Sequence, residues 1–323
     1  MAKPKILVTR RWPAAVEAKL AENYDADFNA DDKPMSAAAL RESLSNYDAI
    51  CPTVTDKVDA DVLNVANPRA KILTNYGVGF SNIDLNAATA LGLTVTNTPE
   101  VLSACTADLA MALLLIAARR AGEGERELRA GDWAGWRPTH MIGHKVSGKT
   151  LGIVGFGRIG QAMAQRAHFG FDMKIIVQDS FAFPQETLDR FKAVQVGSID
   201  ELLGQSDFVS LHTTGGAENT HLINDKTLAL MKSNAVVINT ARGEVIDSKA
   251  LARALSAGTI GGAALDVFEG EPVIDADLLA SPNLVALPHL GRATAETRDA
   301  MGFRVIDNLN AFFAGDVPGD KVN

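Results

Sequence analysis

Cysteine, aromatic residues and positive charge are all scarce in this chain, and long apolar runs are missing. Only Cys51 and Cys105 occur among 323 residues. They lie too far apart for the paired spacing of a thiolate metal site and are too few to staple an extracellular fold, so a reducing compartment, the cytoplasm, is expected. His140, His144, His168, His212 and His221 form no ligand cluster, and no metal is expected. Thirty-one Lys and Arg stand against 39 Asp and Glu, a formal net charge of −8. No basic run offsets this, which excludes broad binding to nucleic acid or to an acidic membrane, since phosphate rewards the opposite sign. The longest apolar stretch, Leu109 to Ala118, is too short to span a bilayer. The opening MAKPKILVTRR runs straight into a strand-like segment and lacks the apolar core and cleavage site of a signal peptide.

What is present is a globular composition, 47% hydrophobic and 22% charged, in a length that suggests two domains, one of them interrupted by the other. Strand and helix signals alternate. Lys5 to Thr9 reads as a strand, Ala14 to Glu22 as a helix with Pro13 at its first turn, and Met35 to Ser45 as a helix. A strand at Ala49 to Cys51, a helix around Ala60 to Val65 and a strand at Ile72 to Thr74 follow, a small α/β unit. Next comes Asn75-Tyr76-Gly77-Val78-Gly79, whose glycines leave backbone N–H groups free to face an anion; an ordinary strand-to-helix turn would use the same residues. The helix Thr106 to Arg120 is apolar nearly all round and must be covered on most sides, either between domains, at a subunit contact or by burial in its own domain. Trp133, Trp136 and Pro138 mark a loop from Gly131 to Gly143.

The stretch from Thr150 to Asp179 has the layout of a dinucleotide site. An apolar strand, Thr150 to Val154, turns through Gly155-Phe156-Gly157-Arg158-Ile159-Gly160 into a helix, and Lys174 to Val177 returns as a strand closed by Asp179. Gly155 is expected to make the tight turn, Gly157 to let backbone approach a pyrophosphate, and Gly160 to let helix and strand pack closely. The helix start then offers N–H groups to the phosphates, and Asp179 is placed to accept from an adenosine ribose diol. The alternation continues through a capping box at Ser198 to Glu201, a strand at Phe208 to Leu211 and a helix at Asn224 to Met231. A strand at Ala235 to Asn239, a helix at Asp247 to Ser256 stopped by Gly258, and strands at Ala263 to Val267 and Leu284 to Ala286 complete six strands. The fold class is therefore α/β: two doubly wound parallel-sheet domains, the nucleotide-binding one of Rossmann type inserted into the substrate domain. We place residues 1–100 and 293–323 in the substrate-binding domain and 101–292 in the dinucleotide-binding domain, the tail from Thr294 to Phe313 being helical.

Three polar clusters fall at the carboxyl ends of predicted strands, where such a fold puts its crevice. Arg242 lies in NTARG, Asp266 and Glu271 in ALDVFEGEP, and His289 in LPHLG. Each alone is ordinary turn chemistry. Together they supply what hydride transfer to a 2-oxo acid requires: a guanidinium to grip the carboxylate and polarise the carbonyl, an imidazolium to protonate the oxygen, and a carboxylate to favour that protonated form and fix the ring. Thr240 and Gly291, beside two of these clusters, are taken with them as cofactor-binding residues.

The runs NYGVGFSNID, TADLAMALLL, GKTLGIVGFGRIG, NTARGEVID, AALDVFEGEP and LPHLGRAT, in this order over nearly the whole chain, resemble the D-isomer-specific 2-hydroxyacid dehydrogenases. The resemblance implies a catalytic trio of Arg242, Glu271 and His289, with backbone at Val78 and Gly79 helping to hold the substrate carboxylate. It implies that Asp266 meets the nicotinamide carboxamide, that Thr106, Arg158 and Ile159 meet the pyrophosphate, and that the protein is a homodimer joined through its nucleotide domains. The Trp136 region and SLHTTGGAENTHLIN look most like the glyoxylate and hydroxypyruvate reductase branch. The segment His212-Thr213-Thr214 lacks the proline of the family's HxPxT, and Glu271 stands where formate dehydrogenase relatives carry glutamine. Ser180-Phe181-Ala182 after Asp179 bring no arginine, so NAD(H) is expected over NADP(H). The expected reaction reduces glyoxylate or hydroxypyruvate. D-Lactate or another D-2-hydroxy acid remains an alternative, as does a nucleotide-sensing, corepressor-like binding protein on the same fold.

Overall fold

The computed structural model describes residues 2–323. Two compact units result, one running to Leu102 and resumed over Ala293–Asn323, the other Ser103–Arg292. In the first, strands β1 (Lys5–Val8), β2 (Asp25–Phe28), β3 (Ala49–Cys51), β4 (Ile72–Thr74) and β5 (Thr94–Thr96) form a parallel sheet in the order β2-β1-β3-β4-β5. Helices α1 (Ala14–Asn23), α2 (Ala37–Asn46), α3 (Ala60–Leu63) and α4 (Leu85–Ala90) connect them. Ser36, Asp59 and Asp84 start three of these helices by accepting from the N–H groups of Ala39, Val62 and Ala87. Pro13 precedes α1 as its cap residue.

In the second unit α5 (Ser103–Ala118) and α6 (Ala121–Ala130) precede a seven-stranded parallel sheet. Its strands are β6 (Thr150–Val154), β7 (Lys174–Gln178), β8 (Ala193–Gln195), β9 (Phe208–Leu211), β10 (Val236–Asn239), β11 (Gly262–Leu265) and β12 (Leu284–Ala286), in the order β12-β11-β10-β9-β6-β7-β8. Helices α7 (Arg158–Phe171), α8 (Gln185–Arg190), α9 (Ile199–Gln205), α10 (Asp225–Leu228), α11 (Ser248–Ala257) and α12 (Ala276–Leu279) link the strands. The order reverses between β6 and β9, which pair in register from Leu151↔Phe208 to Val154↔Leu211. That is the switch point at which doubly wound sheets open their ligand crevice. The apolar helix α5 packs on α7, β10, β11 and β12, with Ala107, Ala110, Leu113 and Leu114 buried. Cover therefore comes from its own unit, and Asp108 on its outer side pairs with Arg166 of α7 at 2.6 Å.

The last helix, α13 (Ala295–Ala314), packs on α1 and β4 of the first unit. Its Gly302 lies so close to α1 that a methyl there would stand 2.5 Å from both γ-carbons of Val16. The structure adds elements that the sequence reading left out: β2, β5, β8, α4, α6, α8 and α12. The nucleotide-side sheet thus has seven strands against six expected. At Ser198 the expected capping box is half formed: its hydroxyl accepts from Glu201 N–H at 3.2 Å, but the Glu201 carboxylate turns to the N–H of Gly197. A full box stands instead at Asn224 and Thr227, and the helix expected to reach Met231 is the short α10. Among the described residues no helix is long and apolar enough to cross a membrane.

Candidate active site

The glycine-rich turn sits at the switch point. Gly155 has φ +86°, and a side chain there would meet the backbone of His212 and Thr213, 2.7 to 2.8 Å away, where the chain leaves β9. Gly157 faces open space, and a methyl at Gly160 would run into the Gly155 carbonyl. The first and third glycines thus bring loop, strand and helix into contact, while the second leaves one face clear for a ligand's backbone approach. Asp179 directly follows β7 and accepts from Phe156 N–H at 2.7 Å, so it holds the turn. Behind the turn His212 has its Nε2 on the Ser210 hydroxyl at 2.9 Å and its Nδ1 enclosed without a partner. Burial pushes its pKa down to about 4, and the ring is neutral.

Thr106, Asp266 and Gly291 come together although they are far apart in sequence. A side chain at Gly291 would lie 3.2 Å from the Asp266 carboxylate and 3.6 Å from Thr106 Cγ2. Asp266 is buried at the end of β11 and accepts from the N–H groups of Leu290 at 2.6 Å and Gly291 at 2.7 Å. Burial raises its carboxyl above the usual 3.8, and those two N–H groups act against the rise. Thr240, directly after β10, is buried with a hydroxyl that has no partner. An enclosed hydroxyl with nothing to bond costs free energy that a ligand's polar group could recover. With the open Gly157 face and the helix start at Arg158, these residues fit a dinucleotide. Among the described residues no cluster of three His, Cys, Asp or Glu side chains could hold a metal ion.

The trio converges beside them. His289 Nδ1 stands 3.0 Å from Glu271 Oε2. The other oxygen, Oε1, accepts from Phe268 N–H at 2.7 Å. His289 itself adopts φ +57°, a left-handed conformation costly for a residue with a Cβ, and its N–H is held by the Asp266 carbonyl at 2.9 Å. Desolvation works to raise the Glu271 carboxyl. The hydrogen bonds from His289 and Phe268 and the Arg242 charge outweigh it, leaving the pKa below the usual 4.5. Arg242 follows β10 and is held by two contacts that sequence reasoning missed. Asn239 Nδ2 donates to the Arg242 carbonyl at 2.9 Å, and Asn239 Oδ1 accepts from Ala241 N–H at 2.9 Å. Gly243 then lies against the Phe268 carbonyl so closely that no side chain would fit, which draws the arginine's loop onto the loop of Glu271. Such a set can hold a carboxylate on a guanidinium and deliver a proton from an imidazole whose inner nitrogen is fixed by an ionised partner.

Val78 and Gly79 lie in the first unit, directly after β4, both half-buried. Their carbonyls accept from Asn97 and Asn75 side chains at 2.8 Å each. Trp136 is 82% exposed.

The family model described as the D-isomer specific 2-hydroxyacid dehydrogenase NAD binding domain matches residues 111–291. A glyoxylate reductase of Thermococcus litoralis is 46% identical over 99% of this chain and 97% of its own. Among solved structures, a Polaromonas protein assigned to the D-isomer specific 2-hydroxyacid dehydrogenases superposes with a TM-score of 0.93 at 35% identity, over 99% of this chain and all of that one. An NADPH-dependent glyoxylate/hydroxypyruvate reductase of Sinorhizobium meliloti, solved with NADP and malonate, gives 0.87 at 31% identity, over 99% and 97%. A dinucleotide turn at the switch point, a histidine held on a glutamate with an arginine's charge beside them, and full-length kinship agree: the chain belongs to the D-isomer specific 2-hydroxyacid dehydrogenase family and carries its NAD binding domain.

Proposed function

We propose that this enzyme reduces a small 2-oxo acid, glyoxylate or hydroxypyruvate, to the corresponding D-2-hydroxy acid. The observation that carries the reading is the His289–Glu271 pair at 3.0 Å with the Arg242 charge acting on the same carboxylate. Bound NADH supplies a hydride to the carbonyl carbon. Arg242 grips the substrate carboxylate and polarises the adjoining carbonyl, and Val78 and Gly79 are assigned to substrate binding through their backbone amides. His289 hands the Nε2 proton to the carbonyl oxygen while its Nδ1–H stays on Glu271, which steadies the ring and its positive charge.

On the cofactor side, Gly155, Gly157, Gly160, Arg158, Ile159 and Thr106 receive the pyrophosphate. Thr240, Asp266 and Gly291 receive the nicotinamide end, where the partnerless Thr240 hydroxyl and the Asp266 carboxylate offer polar contacts. Asp179 receives the adenosine ribose and repels a 2′-phosphate, so NAD(H) is preferred to NADP(H). The unit of residues 1–100 with 293–323 binds substrate, and 101–292 binds the dinucleotide. A cytoplasmic homodimer completes the reading; the two cysteines, Cys51 buried among them, form no disulfide, as a reducing compartment favours.

A panel of 2-oxo acids assayed by NADH oxidation tests the proposal. Glyoxylate or hydroxypyruvate should give the highest kcat/KM, and His289→Gln should cut turnover by roughly 10²- to 10⁴-fold with NADH affinity retained. NADH binding without oxidation by any 2-oxo acid would leave a nucleotide-sensing protein instead.

A further inference from the structure

In the segment after β4 the carbonyls are engaged and the N–H groups that follow them are not. The Gly77 carbonyl accepts from Thr98 N–H at 3.0 Å, that of Val78 from Asn97 Nδ2 at 2.8 Å, and that of Gly79 from Asn75 Nδ2 at 2.8 Å. The N–H groups of Val78, Gly79 and Phe80 have no acceptor among the described residues. A trans peptide is planar, with its C=O and N–H pointing opposite ways. Whatever holds the carbonyl of one residue therefore aims the N–H of the next. Thr98 aims the Val78 N–H, Asn97 the Gly79 N–H, and Asn75 the Phe80 N–H. Successive free amides in a turn form an anion-binding concavity.

Both asparagines are buried, Asn75 completely and Asn97 at 8% exposure. Neither amide can be read the other way round. Asn75 Oδ1 accepts from Asn82 Nδ2 at 3.2 Å, and that same nitrogen donates to the carbonyls of Thr53 and Asp56 at 3.1 Å each. Donor and acceptor ends of Asn75 are thus set by the network. The Asn97 backbone is tied down too, its N–H on the Asp320 carbonyl at 3.3 Å and its carbonyl on Asn308 Nδ2 at 3.4 Å.

We infer that Asn75 and Asn97 are positioning residues for a carboxylate site made of the three amides of Val78, Gly79 and Phe80. Each side chain aims one N–H by holding the carbonyl at the far side of its peptide plane. The inference rests on the proposed reading, in which a 2-oxo acid carboxylate is held here, and adds a third donor at Phe80 and the two side chains that keep the donors pointed outward. Replacing Asn97 by aspartate keeps the size and removes the donor. A carboxylate facing the Val78 carbonyl repels it, and that peptide turns until it offers oxygen, not N–H, to an anion.

The test uses the full chain with NADH bound and titrates oxamate, a carboxylate analogue of a 2-oxo acid, by NADH fluorescence, beside steady-state glyoxylate reduction. One hydrogen bond to a charged group corresponds to roughly ten- to a hundred-fold in affinity. Asn97→Asp and Asn97→Ala should each raise the oxamate Kd and the glyoxylate KM at least about ten-fold, with kcat and NADH Kd within about three-fold. A merely structural role would lower kcat and NADH affinity together with oxamate affinity, and that pattern overturns the inference. Unchanged oxamate binding in both variants overturns it as well. Should Asn97→Asp fail to fold, Asn97→Ala and Asn97→Ser read the same split. A wild type that binds oxamate but reduces no 2-oxo acid refutes the proposed reaction, and the inference then stands or falls on the oxamate constants alone.

Discussion

Glu271→Gln removes the charge of the dyad and keeps an acceptor for the ring. The amide oxygen of glutamine can take the place of Oε2 and still accept from His289 Nδ1, so the ring stays oriented, while its NH2 replaces Oε1 and gives up the bond from Phe268 N–H. Two unit charges 3.0 Å apart attract by about 5 kcal/mol at an effective dielectric of about 20. The two side chains are 33% and 35% exposed, so water screens part of this. Halving the attraction leaves about 2–3 kcal/mol, or roughly 30- to 150-fold in rate at about 1.4 kcal/mol per decade, acting on the protonated imidazole that the reaction needs. Steady-state kcat/KM for glyoxylate at neutral pH should fall by that factor, while NADH Kd by fluorescence titration stays within about two-fold. A loss below three-fold would show that the carboxylate's charge does not serve the proton donor, and the role given to Glu271 would have to be abandoned.

The same variant carries a pH prediction. The Glu271 carboxyl is lowered from its ordinary 4.5 in the folded chain. Its pairing therefore adds stability that is complete above the unfolded value and lost as pH falls through the folded one, so urea midpoints of wild type and Glu271→Gln should differ at neutral pH and converge in acid below the folded value; a constant gap would contradict it. Gly302→Val forces a branched side chain onto Val16 and should destabilise the first unit by about 1–3 kcal/mol, read as a lower urea midpoint; an unmoved midpoint would mean that α13 shifts without cost. Asp179→Ala releases Phe156 N–H and so weakens both cofactors, but NADH should lose roughly ten-fold more than NADPH by fluorescence titration; equal losses would remove the proposed preference.

What could be read from the sequence follows from where each element sits. The strands β6, β9, β10 and β11 are buried nearly throughout and announce themselves as apolar runs. Strand β2, Asp-Ala-Asp-Phe, is an edge strand with every other residue exposed, and β8 is an edge strand of three residues, so neither shows such a run. Helix α4 has six residues, too few for a period to emerge. At the candidate site Arg242, Glu271 and His289 stood out because charged side chains cluster just after strands. Asn239, Asn75 and Asn97 did not, because an asparagine's role depends on which carbonyl it meets, and those partners come from folding: Asn97 lies 19 residues from the carbonyl it holds. The left-handed backbone of His289 was equally hidden, since no glycine marks the position and its N–H meets the carbonyls of Asp266 and Leu287 only in the folded chain.

The closing residues of the first unit have a consequence for synthesis. Val322 N–H bonds the Val95 carbonyl at 2.9 Å, Asn323 Oδ1 accepts from Val95 N–H at 2.8 Å, and Asn323 Nδ2 reaches the Leu93 carbonyl at 2.8 Å. These contacts seal the outer border of β5, which would otherwise offer unpaired backbone to another chain. The ribosome, however, delivers Ser103–Arg292 long before it delivers this seal. During translation the earlier unit waits with an uncovered sheet border while all of Ser103–Arg292 is made, a sticky half-built state that lasts at least about 10–40 s at roughly 5–20 residues per second.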